Sequence, residues 1–157
     1  MFPAKRLTKD EALKKIKYYC SYQERCHQEV TDKLYKFGLF KSEVNEIISD
    51  IIENNYLNEE RFAIQFAGGK FRIKQWGRKK IQYELQQKKV SPYLIKIALK
   101  ALDEEEYNKT LLTLAQRKWK ELAGEHYLAR QSKSISYLLQ KGYEMPLITK
   151  IIAELKS

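Results

Sequence analysis

The sequence has few of the residues that build metal sites and reactive centres. Its 157 residues include two cysteines, Cys20 and Cys26, and two histidines, His27 and His126. A structural zinc site needs four ligands at motif spacing, and a nucleophile needs a base within reach. The sequence also lacks a glycine-rich phosphate loop and the HExxH and CxxC motifs. We therefore expect a protein that is not an enzyme, with no catalytic residues, no metal and no cofactor. We expect two reduced thiols, and His126 at the surface near a loop.

Turn-forming residues and long apolar stretches are also scarce. There are six glycines and three prolines, and 43% of the residues are hydrophobic, which is enough for a packed core. No run of about 18 apolar residues is present, and the N-terminus lacks the apolar core of a signal peptide. We therefore expect a cytoplasmic protein with no membrane partner. Because no segment alternates apolar and polar residues with period two, we expect no sheet.

Apolar residues recur at helical spacing in nine segments, which predicts an all-α fold. Start and stop signals agree with this pattern. Thr8 and Glu11 fit a capping box before the first helix, and Gly38 provides a left-handed end to the second. The fourth helix is predicted to run from Asn58 to about Gln75. Gly68-Gly69 lies inside it, as a close crossing or kink, or alternatively as a hinge.

Three stretches of the sequence repeat the same order of features. Gly38-Leu39, Lys89-Val90 and Gly142-Tyr143 each separate two apolar helices, at intervals of about fifty residues. In the third copy, Ile135, Leu138 and Leu139 are expected to point inward. The pattern predicts three tandem three-helix repeats stacked into an elongated, curved body, and the alternative is coincidence between amphipathic helices. The predicted repeats span residues 1–55, 56–102 and 103–157.

Positive charge is concentrated in the second predicted repeat. Between Arg61 and Leu102 the sequence has eleven lysines or arginines and one acid, Glu84, so this segment alone carries the formal +10 of the chain. Aromatic residues are interleaved with the cations. This combination is typical of a surface that binds a polyanion, although a charge run is often only a solvated face. The candidate binding residues are Arg61, Lys70, Arg72, Lys74, Trp76, Arg78, Lys79 and Lys80.

Further expectations concern individual charges and rings. Arg61, at the start of a helix, is alternatively expected to pair with an acid and hold two repeats together. Gly77 places the cations of residues 78–80 at a helix N-terminus, where an external anion would offset them. Phe71 and Tyr83 are expected to join Trp76 in stacking on exposed bases. Charges in the first repeat should matter less to binding, because acids there balance them; the charges considered are Lys5, Arg6, Lys9, Lys14 and Lys15.

Four segments resemble motifs of a known family. Residues 25–34, RCHQEVTDKL, look like RSxxELxxKL, and residues 56–63, YLNEERFA, are similar to YLDDxRFA. Residues 77–85 resemble GxxxIxxEL, and Lys141-Gly142-Tyr143 stands for an RGF-like ending. These motifs resemble those of the RecX family, bacterial regulators of the RecA recombinase, and the likeness covers nearly the whole chain.

The resemblance implies tandem three-helix units and no catalytic residues. It also implies binding in the groove of the RecA filament on single-stranded DNA, limiting the ATPase, strand-exchange and co-protease activities of RecA. The implied protein is a modulator, an inhibitor, whose partners are the RecA filament and single-stranded DNA, with double-stranded DNA as a further candidate. From the stacked repeats, we expect a monomer. Two alternatives remain open: a general nucleic-acid-binding protein with helix-turn-helix-like units, and a helical scaffold for protein partners.

Overall fold

The computed structural model describes residues 6–157, so the first five residues of the predicted first repeat, including Lys5, lie outside the described residues. Over that range the regular structure is helical and contains no strand. The helices are α1 (Lys9–Tyr22), α2 (His27–Lys36), α3 (Lys41–Glu53), α4 (Glu59–Gly69), a π-helical segment (Lys70–Lys74), α5 (Arg78–Gln87), α6 (Pro92–Lys100), α7 (Glu104–Glu121), α8 (Tyr127–Lys141) and α9 (Met145–Lys156). The predicted all-α fold is confirmed.

Side chains at the helix N-termini act as the sequence predicts. The Thr8 hydroxyl accepts a hydrogen bond from the Glu11 N–H at 3.2 Å, and the Glu11 carboxylate accepts one from the Thr8 N–H at 3.1 Å. This is the predicted capping box, which satisfies two amides that the helix itself leaves unpaired. Asn58 caps α4 with a single such bond, which its side chain accepts from the Arg61 N–H at 2.9 Å.

The repeat is visible in the backbone between paired helices. Gly38, Lys89 and Gly142 all have positive φ, of 88°, 62° and 100°. Each follows a helix end, where a left-handed residue lets the chain turn away. Each is also followed by a buried apolar residue; these are Leu39, Val90 and Tyr143. The same conformation therefore recurs at the same place in three copies, and the tandem helical-repeat body is confirmed.

The buried residues form two hydrophobic cores. The first lies among α1, α2 and α3 and is built from Ala12, Ile16, Cys20, Val30, Leu34, Leu39, Val44, Ile47, Ile51 and Leu57. The second is continuous from α4 to α9 and includes Phe62, Phe71, Ile81, Leu85, Ile95, Tyr107, Leu111, Leu138, Tyr143 and Ile148. The second and third groups of helices therefore share one core, whereas the first group has its own.

A polar junction connects the first group of helices to α4. The Arg61 guanidinium donates to the Glu24 carboxylate at 2.6 Å and to the Asn55 side-chain and backbone oxygens at 3.2 Å. The His27 N–H donates to the Glu59 carboxylate at 3.2 Å. The expected pairing of Arg61 with an acid across two units is confirmed. Cys26, the residue directly before α2, is buried and belongs to the second core.

Two local predictions were wrong in detail. The fourth helix does not continue as an α-helix to Gln75, because α4 ends at Gly69 and the chain passes into the π-helical segment. Leu139 was expected to point inward, yet it is 45% exposed. Leu138 occupies the core position of that turn, and the next residue lies about 100° further around the helix, on its solvent side.

The accessible surface of the chain is larger than that of an average compact monomer of the same mass. The accessible surface is 10163 Å², whereas a compact monomer of 18.7 kDa exposes roughly 8300 Å². Within residues 6–157, none of the helices combines the length and apolar character needed to cross a membrane.

The left-handed stop at Lys89 provides a stability test of the repeat. A residue with a side chain is strained there, whereas glycine is not, so Lys89→Gly should raise the free energy of unfolding by about 1 kcal/mol. Lys89→Ala removes the same charge but keeps Cβ, and should give no such gain. Urea denaturation of both variants checks this prediction, and equal stability of the two would contradict it.

Candidate polyanion-binding face

The π-helical segment begins directly after the two adjacent glycines. A Cβ atom on Gly68 would lie 2.7 Å from a terminal nitrogen of Arg72, whereas a Cβ on Gly69 would meet nothing within 4 Å. The missing side chain at Gly68 therefore leaves room for the Arg72 guanidinium to lie along α4. This contact is with a side chain of the following turn, and the choice between a close helix crossing or kink and a hinge at Gly68-Gly69 remains a prediction. Ile73, in the same segment, is 80% exposed, and π-helical turns occur frequently at functional sites.

Phe71 anchors this segment in the core. Its ring is buried and stacks on Tyr107 with the ring centroids 5.7 Å apart. The Tyr143 hydroxyl donates to the Gln75 carbonyl at 2.9 Å, where the chain leaves the segment with a φ of 59°. The expectation that Phe71 stacks on exposed bases was wrong, because its ring is used inside the protein. Tyr83 is exposed, and its stacking role remains a prediction.

Trp76 holds two lysines at the surface. The ammonium groups of Lys70 and Lys80 lie over its ring, 5.1 Å and 4.8 Å from the centroid. Such contacts are favourable and restrict the side chains without neutralising their charge. Trp76 is half-buried and also packs against the second core. In this structure the indole therefore positions cations, and base stacking by Trp76 remains a prediction.

A backbone crossing brings the start of α5 against the end of α8. The Gly77 N–H donates to the Lys141 carbonyl at 2.7 Å, and the Lys79 N–H donates to the Gly142 carbonyl at 2.8 Å. A Cβ atom on Gly77 would lie 2.4 Å from the Gly142 carbonyl group, so only glycine fits. The crossing also brings in the Lys141 ammonium, which donates to the Lys74 carbonyl at 3.2 Å.

Lys141 is a candidate binding residue that sequence reasoning missed. It is distant in sequence from the basic segment, and no local charge pattern marks it. Gly77 and Gly142, which allow the two backbones to meet closely, both lie in family-like segments, but neither segment indicates that the two come together.

Arg78 is occupied inside the protein. Its guanidinium pairs with the Glu144 carboxylate at 2.8 Å and with Glu104, and lies 3.8 Å from the centroid of the Tyr107 ring. The Tyr107 hydroxyl donates to Glu144 and accepts from the Arg78 N–H at 2.9 Å. Burial, together with the hydrogen bond to Glu144, raises the pKa of Tyr107 above its ordinary value, so the phenol keeps its proton.

The expected external anion at the start of α5 is therefore replaced by groups of the protein itself. The first amides of α5 donate to backbone carbonyls and to a phenol, and two carboxylates pair with Arg78. A binding role for Arg78 and for Arg61 remains a prediction, although both guanidinium groups have internal acidic partners.

The cationic candidates other than Arg61 and Arg78, together with Lys141, form what we call the basic face. Among the described residues, no ion pair involves any of its members, and Arg72, Lys74 and Lys79 are exposed. The basic face consists of Lys70, Arg72, Lys74, Lys79, Lys80 and Lys141. These cations come from the π-helical segment, the start of α5 and the end of α8, so two repeats contribute to one face.

The cysteines and His126 occupy structural positions. Both cysteines are buried and free, and burial raises the pKa of Cys20 to about 11 and that of Cys26 to about 12. Their thiols therefore remain protonated near neutral pH and are poor nucleophiles. His126 is exposed and caps α8 through a hydrogen bond that its Nδ1 accepts from the Leu128 N–H at 3.2 Å. Within residues 6–157, no cluster of three or more histidine, cysteine or acidic side chains could hold a metal ion.

Family models and relatives match most of the chain. A model described as "RecX, second three-helix domain" matches residues 58–99, and one described as "RecX, third three-helix domain" matches residues 104–152. The protein named "Regulatory protein RecX" from Bacillus mycoides (strain KBAB4) is 28% identical over 138 residues, and that from Bacillus cytotoxicus is 27% identical over the same length. Each match covers 88% of this chain and 51% of the relative. The chain therefore spans about half the length of these relatives.

Solved structures also resemble the chain. The crystal structure of RecX from Lactobacillus salivarius has a TM-score of 0.87 and 26% sequence identity, and the match covers 94% of this chain and 96% of that one. A crystal structure of a regulatory protein RecX has a TM-score of 0.82 at 20% identity, covering 91% of this chain and 70% of that one. At that identity, the second likeness supports the fold alone.

The internal pairing of Arg78 predicts a structural role for this residue. Arg78→Ala should lower the free energy of unfolding by about 2–3 kcal/mol, because it leaves Glu144 partly buried without its cation. The matched control Lys79→Ala removes a neighbouring exposed cation and should change stability by less than about 0.5 kcal/mol. Urea denaturation measures both values, and a small effect at both positions would mean that Arg78 is a free surface cation.

Proposed function

The chain belongs to the RecX family, and on that basis we propose that it is a non-enzymatic modulator of the RecA recombinase, acting as an inhibitor. In this proposal it binds RecA filaments and DNA in the cytoplasm and thereby regulates recombination and repair. The observation that carries the proposal, beyond family membership, is the basic face. A RecA filament on single-stranded DNA is a long polyanion, and a face of cations without internal acidic partners suits such a partner.

The basic face is preorganised for this role. Its backbone is fixed by the Gly77 and Lys79 hydrogen bonds to the end of α8, and by Phe71 in the core. Trp76 restricts two of its lysines. Binding therefore requires little additional ordering of the backbone, and ordering is one of the main free-energy costs of association.

A general nucleic-acid-binding function is the second candidate. The feature that favours it is that exposed lysines and arginines contact phosphates without reading sequence, so the basic face suits naked DNA as well as a filament. Co-sedimentation with RecA filaments, compared with binding to naked DNA at the same salt concentration, separates the two functions. Stronger binding to the filament supports the RecA-directed proposal.

The direct test of the proposed function is the single-stranded-DNA-dependent ATPase of the cognate RecA recombinase, measured with increasing amounts of this protein. We expect ATP hydrolysis to fall as the protein binds the filament. An ATPase rate that stays unchanged at saturating protein would contradict the proposal.

Charge reversal tests the basic face itself. A variant with Arg72, Lys74, Lys79 and Lys80 all replaced by glutamate should lose most filament and DNA binding while keeping its helicity by circular dichroism. Arg78 is left out because its loss would disturb the fold. If the wild-type face neutralises about four phosphates, the logarithm of the binding constant for single-stranded DNA should fall with log salt at a slope of about −3.

The matched control reverses four exposed cations of the third repeat. These are Lys109, Arg117, Lys120 and Lys150. The control changes the net charge by the same amount, so it separates a local effect from a general electrostatic one. Equal loss of binding in both variants, or wild-type binding by the basic-face variant at low salt, would contradict a role for this face.

A further inference from the structure

A second surface that combines cations and aromatic rings lies in the first repeat. An open groove of about 920 Å³ runs between α1 and α2. Its lining includes Lys14, Lys15, Tyr18, Tyr22, Arg25 and Lys33. We propose that this groove binds single-stranded nucleic acid, with unpaired bases stacked on Tyr18 and Tyr22 and with phosphates near the lysines. The inference rests on the DNA binding in the proposed function and adds a site outside the basic face.

The spacing of residues along α1 creates this surface. Lys14 and Lys15 lie four and three positions before Tyr18, and Tyr22 lies four positions after it, so all four lie on one side of the helix. The core of the first repeat takes another side of α1, where Ile16 is fully buried. The two tyrosines and two lysines are therefore held on a helix that its own core fixes in place.

The two tyrosine rings are available to a partner. Tyr18 is 74% exposed and Tyr22 is 73% exposed, and among the described residues no hydrogen bond or ring contact involves either of them. Tyr19, in the same groove, differs: its ring is covered by the Arg25 guanidinium at 3.7 Å and lies 5.4 Å from the Lys33 ammonium. Exposed rings beside cations are the arrangement on which successive bases of a single strand stack.

The local charge of the groove differs from that of the whole repeat. Residues 1–60 have ten basic and eleven acidic side chains, which led to the expectation that charges in this repeat matter less. Among the described residues, however, the lysine and arginine ion pairs formed within this repeat join Arg6 to Glu43 at 2.5 Å and Lys9 to Glu46, away from the groove lining. The groove itself is lined by four cations and one acid, Glu11, whose carboxylate accepts the Thr8 N–H.

The combination favours a single strand over an acidic peptide. An acidic peptide would form ion pairs with the cations of the groove and would leave both exposed rings without a contact. Nucleobases present flat faces to the rings while their phosphates meet the lysines, so one ligand uses both features. Duplex DNA keeps its bases stacked on one another and cannot use the rings in this way.

The test compares two oligonucleotides with the same number of phosphates: an oligothymidylate of about 20 nucleotides and an abasic chain of equal length. The wild-type protein should bind the oligothymidylate more tightly, at low salt, by fluorescence anisotropy. The double variant Tyr18→Ala/Tyr22→Ala should lose at least about fivefold in affinity per ring for the oligothymidylate. It should bind the abasic chain as the wild type does.

Two controls isolate the stacking contribution. Tyr18→Phe/Tyr22→Phe keeps both rings and should retain wild-type binding. Tyr35→Ala/Tyr127→Ala removes two exposed tyrosines outside the groove lining, and it should also bind as the wild type does.

The outcomes separate this inference from the proposed function. Unchanged oligothymidylate binding by the alanine variant overturns the groove site and leaves the basic face intact. Normal DNA binding by that variant, with a weaker effect on the filament ATPase, overturns it in favour of a protein contact. Failure of the wild-type protein to bind any single strand at low salt overturns both the groove site and the proposed DNA binding.

Discussion

The contact between Gly77 and the backbone at Gly142 is the constraint on which much of the structure depends. Because neither residue has a side chain, α5 can begin against the end of α8 with two hydrogen bonds between them. The second and third repeats are thereby held close enough to share one core. The same contact places Arg78 beside Glu144 and brings Lys141 to Lys74.

Whether a cation of this protein is available to a partner depends on its ion pairs in the fold more than on its position along the chain. Arg61 and Arg78 belong to the basic segment by sequence, yet each is held by acids from a neighbouring repeat. The basic face is made of six other cations, for which the described residues provide no ion pair. In the first repeat, no ion pair between described residues involves Lys14 or Lys15 on the groove, although the repeat as a whole is nearly neutral. Net charge per segment therefore does not show which cations are free to meet an external anion.

The sequence predicted the helices and their repetition because both depend on local signals. The capping box at Thr8 and the left-handed stops at Gly38 and Gly142 are set by residues within a turn of each other. Lys89 shows that the pattern persists even where the preferred glycine is missing.

Features that depend on distant residues were harder to predict. The π-helical turn is fixed by Phe71, whose ring packs on Tyr107 in the next repeat. Lys141 joins the basic face through the glycine contact, and Arg78 is held away from it by Glu144 and Glu104. No periodicity within a single helix carries these long-range contacts, so the sequence indicated the basic region but not which of its cations are free.

The central claim is that the basic face contacts the filament. An electron cryo-microscopy reconstruction of the cognate RecA filament on single-stranded DNA, decorated with this protein, tests it most directly. We predict that Lys70, Arg72 and Lys74 will lie against the filament, within reach of phosphates or acidic side chains. A reconstruction in which this face points to solvent while another surface binds the filament would contradict the account.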